Sequence, residues 1–394
     1  MEAPHEAFSG KDLIRALAAS IEREAGGLGP TRIMHVCGTH ERSVSRYGLR
    51  SLLPHNVRIV AGPGCPVCVC PVSDLLAARA LATRARSLGA GIVLASFGDM
   101  LSVPMPGGSL LDARREGAEL RVVYSAADAL ALARSDRGQE VVFFSVGFET
   151  TTAPTAALLA SLARSPAPSF SILAANRLVP EALRVLLETS ALAAGPGAAE
   201  RGGPPIDGLI LPGHVAAIIG SEPFRFLASD FGVPCVVAGF EPVDLLAAIR
   251  ELLSQRRRGV AELANLYSRV VRPEGNARAM ALMSEVFDRR DAEWRGLGVL
   301  PGSGLALKPE FAAYDARVKF AENLAASSPA DSPAVGEGAA EEKACLCSRV
   351  VLGLAESEDC PLFGAACLPE RPIGPCMVSE EGTCRIRFEH GGAA

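Results

Sequence analysis

The chain has 394 residues with 39 Lys and Arg against 44 Asp and Glu, and its formal net charge of −5 favours neither nucleic acid nor an anionic membrane as a partner. Its length allows two or three domains with sizeable cores. No apolar run approaches the ~20 residues that cross a bilayer, and Met1 to Gly10 carries two acids and no apolar stretch, so neither a span nor a signal peptide is expected.

Lys11 to Gly26 has helical spacing, with Leu13, Ile14, Leu17 and Ile21 on one face, and stops at Gly26-Gly27. Short apolar, β-branched runs then alternate with Ala/Leu-rich helical segments. The runs lie at 32–36, 57–61, 91–95, 121–124, 140–146, 170–174, 207–211 and 234–238. Such alternation predicts βαβ units and parallel sheets covered on both faces. The runs form two sets of four, offset by about 110 residues, a spacing that suits one domain each. Val36-Cys37-Gly38-Thr39 also echoes Val146-Gly147-Phe148-Glu149-Thr150. The expectation is an α/β protein with two similar doubly wound parallel-sheet domains, at 10–138 and 139–245.

Gly195 to Pro205 reads as a Gly/Pro/Ala-rich surface loop. Residues 246–324 read as a helical segment that returns to pack on the first domain, with Arg256-Arg257-Arg258 as a solvated helix end. Residues 325–342 have the low-complexity, acidic composition of a linker, and 343–394 form a small Cys-rich module.

Sites in doubly wound sheets form at the carboxyl ends of strands. Cys37-Gly38-Thr39-His40-Glu41, Cys65 and Cys68, and Ser96-Phe97-Gly98-Asp99 follow runs of the first set. Glu149-Thr150-Thr151-Thr152, Asn176-Arg177, Pro212-Gly213-His214 and Gly239-Phe240-Glu241 follow runs of the second. If the halves face each other, these turns line one cleft. Glu149 and His214 are candidates there, each balanced between site and scaffold.

The 11 cysteines are clustered: one at 37, three in 65–70, one at 235 and six in 345–384. With no export signal, that pattern in a reducing cytoplasm reads as metal or redox sites. Gly62-Pro63-Gly64-Cys65-Pro66-Val67-Cys68 stands between a strand run and a helix opened by Ser73-Asp74. A helix N-terminus stabilises thiolate over thiol. The favoured reading is a thiolate site for redox or metal work, with a structural zinc half-site as the alternative. Cys37 and His40, three residues apart, share a face if a helix starts there, so the imidazole would hold or deprotonate the thiol. A buried Cys beside a capping Thr39 is the alternative. Cys235 reads as core packing and His35 as structural.

The C-terminal module, with Cys345, Cys347, Cys360, Cys367, Cys376 and Cys384, is too short to build much of a core, so a metal centre is expected to staple it. It lacks the close Cys-x-x-Cys pairs usual in zinc modules and the spacings of common ferredoxins. Thiolate-rich, widely spaced ligation places iron–sulfur ahead of zinc. Chemistry alone does not select four ligands from six.

Three blocks of the α/β part resemble the HypD family, whose members mature [NiFe]-hydrogenases. They are Cys37-Gly38-Thr39-His40-Glu41, Gly62-Pro63-Gly64-Cys65-Pro66-Val67-Cys68 and Gly147-Phe148-Glu149-Thr150-Thr151-Thr152-Ala153-Pro154. Cys360-Pro361-Leu362-Phe363-Gly364 and Pro372-Ile373-Gly374-Pro375-Cys376-Met377-Val378-Ser379 add to the likeness, which runs in order through nearly the whole chain. The resemblance implies two Rossmann-like domains and a third holding a [4Fe-4S] cluster. The family's cluster spacing falls on Cys345, Cys360, Cys367 and Cys384, which leaves Cys347 and Cys376 as non-ligands. It further implies a scaffold on which Fe(CN)2CO is assembled with a HypC-like small chaperone, cyanide coming from a HypE-like donor. Cys37 would bind this transient iron beside a redox-active Cys65/Cys68 pair, with His40 tuning Cys37. Glu149, Asp99 and His214 are expected to line the same cleft and to handle protons or orient the fragment. Such a protein would be an assembly scaffold with redox and ligand-transfer chemistry rather than a conventional turnover enzyme. Cys70 stands where the family usually has Thr, and reads as an extra thiol. The competing readings are a free-standing iron–sulfur thiol–disulfide oxidoreductase and a zinc-stapled binding module.

Overall fold

A computed structural model describes residues 10–87, 91–135, 139–193, 206–325 and 344–391. The expected loop at Gly195 to Pro205, nearly all of the expected linker and the N-terminal stretch before Gly10 lie outside the described residues.

In chain order the elements that position the site are α1 (Lys11–Ala25), β1 (Thr31–His35), α2 (Gly38–Arg46), β2 (Val57–Ala61), α3 (Pro66–Val69) and α4 (Val72–Ser87). Then follow β3 (Ile92–Ser96), β4 (Glu119–Val122), β5 (Glu140–Gly147), α5 (Glu149–Leu162), β6 (Phe170–Asn176) and α6 (Val179–Ala193). After them come β7 (Gly208–Pro212), α7 (Gly213–Ile219), β8 (Cys235–Ala238), α8 (Pro242–Arg258), β9 (Leu263–Asn265) and α9 (Ala277–Val286). A hairpin of β10 (Phe287–Trp294) and β11 (Gly298–Leu307) precedes the C-terminal module, whose helices are α10 (Cys347–Val351), α11 (Pro375–Val378) and α12 (Thr383–His390).

Among the described residues the parallel strands form two sheets, ordered β2-β1-β7-β8-β9 and β4-β3-β5-β6. Every residue of β3, β6, β7 and β8 is buried, as expected for parallel strands with helices on both faces. Both sheets run outward from their first strand and then restart on its other side, the doubly wound order. The two units are therefore alike in winding, but the two sets of four runs do not correspond to them, since β3 and β4 of the first set pair into one sheet with β5 and β6 of the second. Their boundary is different. The strands do not divide at residue 138; the whole second sheet, from β3 to β6, is inserted between β2 and β7 of the first. Parallel pairing is decided by long-range packing of buried faces, and the runs themselves carry no mark of their neighbours.

The segment 246–324 also departs from expectation. α8 continues to Arg258 and packs on α1, but β9 extends the first sheet and the antiparallel β10–β11 hairpin follows α9. Phe287, Ala292 and Trp294 are buried while Asp288, Arg289 and Glu293 are exposed, a period near two that marks a strand and not a helix. The arginines ending α8 are not simply solvated. Arg256 reaches the carbonyl of Pro30, the Thr31 hydroxyl and Asp207, which ties the helix end to the start of β1.

One apolar cluster runs from Met34 and Val60 of the first sheet through Cys65, Val67 and Val69 to Val142 and Phe144 of the second. It continues into the C-terminal module at Cys347, Val350 and Met377. At its centre β1 and β2 pair in register, His35 beside Ala61, so the turns that follow them touch. A Cβ on Gly64 would land on the backbone of Val36 and Cys37. We expect Gly64→Ala to force these turns apart and to cost about 1–3 kcal/mol, the range for overpacking, read as a lower denaturation midpoint in urea at an unchanged slope.

Candidate functional site

Each sheet has a switch point where strand order reverses, between β1 and β7 in one and between β3 and β5 in the other. Cys37 and His214 follow the first pair, and Asp99 and Glu149 follow the second. The expected residues thus occupy strand ends, but they do not all share one space.

Cys37 caps α2 with extended backbone, φ −161° and ψ 130°. Its buried thiol meets the backbone N–H groups of Thr39 and His40 and the Thr39 hydroxyl. Burial and the neighbouring Glu381 carboxyl outweigh these donors and push the thiol up to about 11. The N–H of Gly38 donates to the Gly64 carbonyl at 3.2 Å, which holds the next turn alongside. There Cys65 and Cys68, 5% and 1% exposed, are joined as a disulfide with Cα atoms 5.3 Å apart. Cys65 caps the four-residue α3, and the Cys68 N–H faces its Sγ at 3.1 Å. Cys70 is buried as well and is pushed up to about 12 by burial and by Asp74. Cys235 is fully buried in β8, core packing as read from the sequence.

His40 does not serve Cys37. Its ring lies 5.0 Å from that of Phe240 and 6.4 Å from that of His35, against the Ala238 and Gly239 backbone, and neither ring nitrogen bonds the Cys37 thiol. Burial and His35 push it down to about 3, so it stays neutral. Cys37 is the cap, outside the helical backbone that would align positions three apart, so it and His40 do not share a helix face. His214 is exposed and stacks on the same Phe240 ring, with centroids 3.8 Å apart.

Glu41, quoted in the sequence motif without a role, is the electrostatic centre of this end. It is fully buried and engages His35 Nε2 at 2.7 Å, Arg50 at 2.7 Å, the Ser45 hydroxyl at 2.7 Å and Arg387 at 3.1 Å. Burial opposes its charge, but Arg50 and His35 prevail and hold it well below the usual carboxylate range. His35 is structural, as expected.

Arg387 belongs to α12, so the Glu41 cluster also anchors the C-terminal module. α12 packs on α2, and α11 packs on both α3 and the turn beginning at Asp99. Ser379 Oγ donates to Asp99 at 3.0 Å, and Arg42 donates to the Glu380 carbonyl at 2.8 Å. A Cβ on Gly38 would come within 2.5 Å of Glu381, so glycine lets the module close over Cys37. Burial raises both Asp99 and Glu381 above the usual carboxylate range. Glu381 and Arg387 carried no local signal in the sequence, because a contact across more than 300 residues leaves none. The same holds for Asp74, which binds Arg177 and Arg317 at 2.5 Å each and braces α4 against the end of β6.

The module gathers its six cysteines. The thiol of Cys347 lies in hydrogen-bond contact with those of Cys345 and Cys376, and Cys376 with Cys384, while Cys360 and Cys367 are close enough to act on Cys345 electrostatically. The Ile373 N–H points at Cys367 Sγ, 3.3 Å away. Among the described residues no group of three or more His, Cys, Asp or Glu side chains could hold a single metal ion. A cube of four irons takes one thiolate at each iron, so its ligands stand apart, and the soft donor set and the N–H directed at sulfur fit it. Cys347 and Cys376 sit within the same thiol group, between Cys345 and Cys384.

Glu149 is elsewhere. It opens α5, is 1% exposed, and lines a pocket with Glu181, Arg184 and Arg289 that no cysteine borders. The Val179 N–H donates to Oε1 at 3.0 Å, and Oε2 has no partner. Burial pushes it up to about 8, with its own and the Val179 N–H opposing. The expectation that Glu149 shares the cleft of Cys37 is not met, because Glu149 follows β5 of the second sheet and Cys37 follows β1 of the first.

Paired doubly wound sheets with thiols at one switch point, closed by a Cys-rich module, define a distinctive class of α/β protein. The sequence profile of the HypD family, described as "Hydrogenase formation hypA family", matches residues 12–391. Hydrogenase maturation factor HypD2 of Bradyrhizobium diazoefficiens is 42% identical over 386 residues, covering 98% of this chain and 96% of that protein. Hydrogenase maturation factor HypD of Azotobacter vinelandii is 42% identical over 379 residues (96% and 94%), and that of Cupriavidus necator 40% over 388 (98% and 96%). The chain belongs to the HypD family of hydrogenase maturation factors. Among the described residues no helix is long and apolar enough to cross a membrane.

Two outcomes test the electrostatics. Glu41→Gln leaves His35, Arg50 and Arg387 without their shared anion and is expected to cost about 3 kcal/mol at pH 7, the loss typical of one broken buried ion pair. A carboxylate held below its unfolded value stabilises above that value, so the difference between wild type and variant should vanish as the pH falls through the acid range. Glu149 has the opposite sign. Raised from 4.5 to about 8, it is protonated only in the folded chain across that window. Stability should fall as pH rises through it, by up to about 1.4 kcal/mol per pH unit from this group, and Glu149→Gln should remove that component in urea titrations.

Proposed function

We propose that this hydrogenase maturation factor is a scaffold for assembling the Fe(CN)2CO unit of [NiFe]-hydrogenase, working with a HypC-like small chaperone and a HypE-like cyanide donor in the cytoplasm. The observation that supports it most is the contact of the Cys37 turn with the Cys65–Cys68 turn, both roofed by the Cys-rich module. Cys37 supplies a sulfur ligand for the iron cargo. A thiolate is soft and electron-donating, which suits iron carrying cyanide and CO. Cys65 and Cys68 can store two electrons by opening their disulfide.

Cys345, Cys360, Cys367 and Cys384 would hold a [4Fe-4S] cluster, which when bound supplies single electrons. This chain's own residues do the rest. α11 carries the module onto α3, so the thiol group and the disulfide share one apolar core. Glu381, raised by burial, is positioned beside Cys37 to take up the proton that a metal must displace, and Asp99, also raised, lies near Glu381. A stand-alone oxidoreductase acting on small disulfides is disfavoured by the burial of both Cys65 and Cys68.

The test is infrared spectroscopy of the protein purified anaerobically with its small partner. Metal-bound cyanide and CO stretches are expected in wild type and should be lost in Cys37→Ala, with their presence in that variant refuting Cys37 as ligand. Visible absorption is a separate check. Cys360→Ala should lose the brown iron–sulfur band, whereas Cys347→Ala should retain it.

A further inference from the structure

The pocket that Glu149 lines has a volume of about 370 Å³ and is bordered by α5, α6, α9 and the β10–β11 hairpin. That is room for a molecule with a body of a few carbon atoms, at the lower end of the range of ligand cavities. Its wall is largely apolar, with Phe226 and Met283 among its members, and Glu149, Glu181, Arg184 and Arg289 interrupt it. The acids turn inward: Oε2 of each is buried and unpartnered, and neither is offered to the cavity. Glu149 is 1% exposed, and a carboxylate with a bare buried oxygen is the form that burial penalises most, so this side chain is uncharged at neutral pH. The arginines are different. The Arg289 side chain is 67% exposed and bonds Glu181 through Nη1, which leaves its other N–H groups open. The Arg184 guanidinium lies 4.0 Å over the Phe226 ring, which holds it flat and directs its N–H groups sideways. Its ion pair among the described residues is with Asp230 at 3.6 Å, both side chains half exposed, and such a pair is weak. In the wall, therefore, two arginines face one ionised acid.

We propose that this pocket binds a short-chain aliphatic carboxylate, its head received by Arg184 and Arg289 and its hydrocarbon body lying against Phe226 and Met283. One negative charge offsets the surplus positive charge of the wall, which favours a monoanion. A planar carboxylate matches the fork of a guanidinium, and stacking on Phe226 has already fixed Arg184, so little side-chain freedom is lost on binding. The apolar wall supplies the remainder by taking the chain out of water, worth about fourfold in affinity for each methylene fully buried. No cysteine borders the pocket, so the site is independent of the iron and disulfide chemistry proposed above.

Isothermal titration of the full chain at neutral pH and low salt tests this, using sodium hexanoate with hexanamide and n-hexylammonium chloride as neutral and cationic counterparts. Hexanoate should saturate a single site with a dissociation constant of about 1 mM or below. The amide and the ammonium should bind at least about tenfold more weakly, because they forfeit the charged hydrogen bonds. Acetate, which has the head without the body, should also lose about tenfold or more. Arg184→Gln should weaken hexanoate at least about tenfold, and its half-exposed position makes loss of the fold a poor explanation of that result. Met283→Trp, which fills the pocket and keeps both arginines, should abolish binding. Arg15→Gln, an exposed change on α1, should bind as wild type does. No saturation by about 10 mM hexanoate overturns the proposal. So does equal binding of the amide, the ammonium or acetate, unchanged binding in Arg184→Gln or Met283→Trp, or an equal loss in Arg15→Gln.

Discussion

The whole arrangement depends on the close approach of two turns, one after β1 and one after β2. In-register parallel pairing brings His35 beside Ala61, and the absence of a side chain at Gly64 lets the second turn rest on the backbone of Val36 and Cys37. Because the turns touch, a free thiol and a disulfide become neighbours although 28 residues separate Cys37 from Cys65. Any side chain larger than hydrogen at that contact would have to move one of the strands, and β1 is held from both sides by β2 and β7.

The roof over this contact is attached by charge and by shape. Glu41 is sequestered among His35, Arg50 and Arg387, so the anion that organises α2 also grips the last helix of the chain. Burying such a carboxylate is unfavourable unless every lone pair is met, and here several donors converge on it. Gly38 then leaves room for Glu381, which a Cβ at that position would meet at 2.5 Å. The consequence is a thiol in a low-dielectric site beside the Glu381 carboxyl, which has Asp99 near it in turn, and burial raises all three. Removing water is what shifts all three groups, and it also strengthens each remaining interaction.

Repetition of one winding order in both sheets explains why functional groups fall into two places. A doubly wound sheet offers one crevice, at its reversal of strand order. Two sheets offer two. The first holds Cys37 with His214 nearby, and the second places Glu149 in a pocket without sulfur. Cys37 follows the first strand of its sheet and Glu149 the third of its own, so the echo between their stretches marks neither an equivalent position nor a shared ligand.

The strand runs, their burial on both faces, the turns that carry Cys37, Cys65 and Cys68, and the separate Cys-rich module were legible in the amino-acid order. Alternation of apolar runs with helical segments is a local property, and so is a glycine- and proline-rich turn before a helix. Kinship with HypD was legible too, because several motifs of unusual composition follow one another in order. Only the tertiary structure decided that one sheet interrupts the other, that His40 faces Phe240 instead of the thiol, that Glu381 lies over Gly38, and that Glu149 stands apart. Each of these is a contact between segments distant in the chain, or hinges on one residue falling just outside a helix. Such contacts are fixed by how buried faces fit together in space, for which linear spacing holds no record.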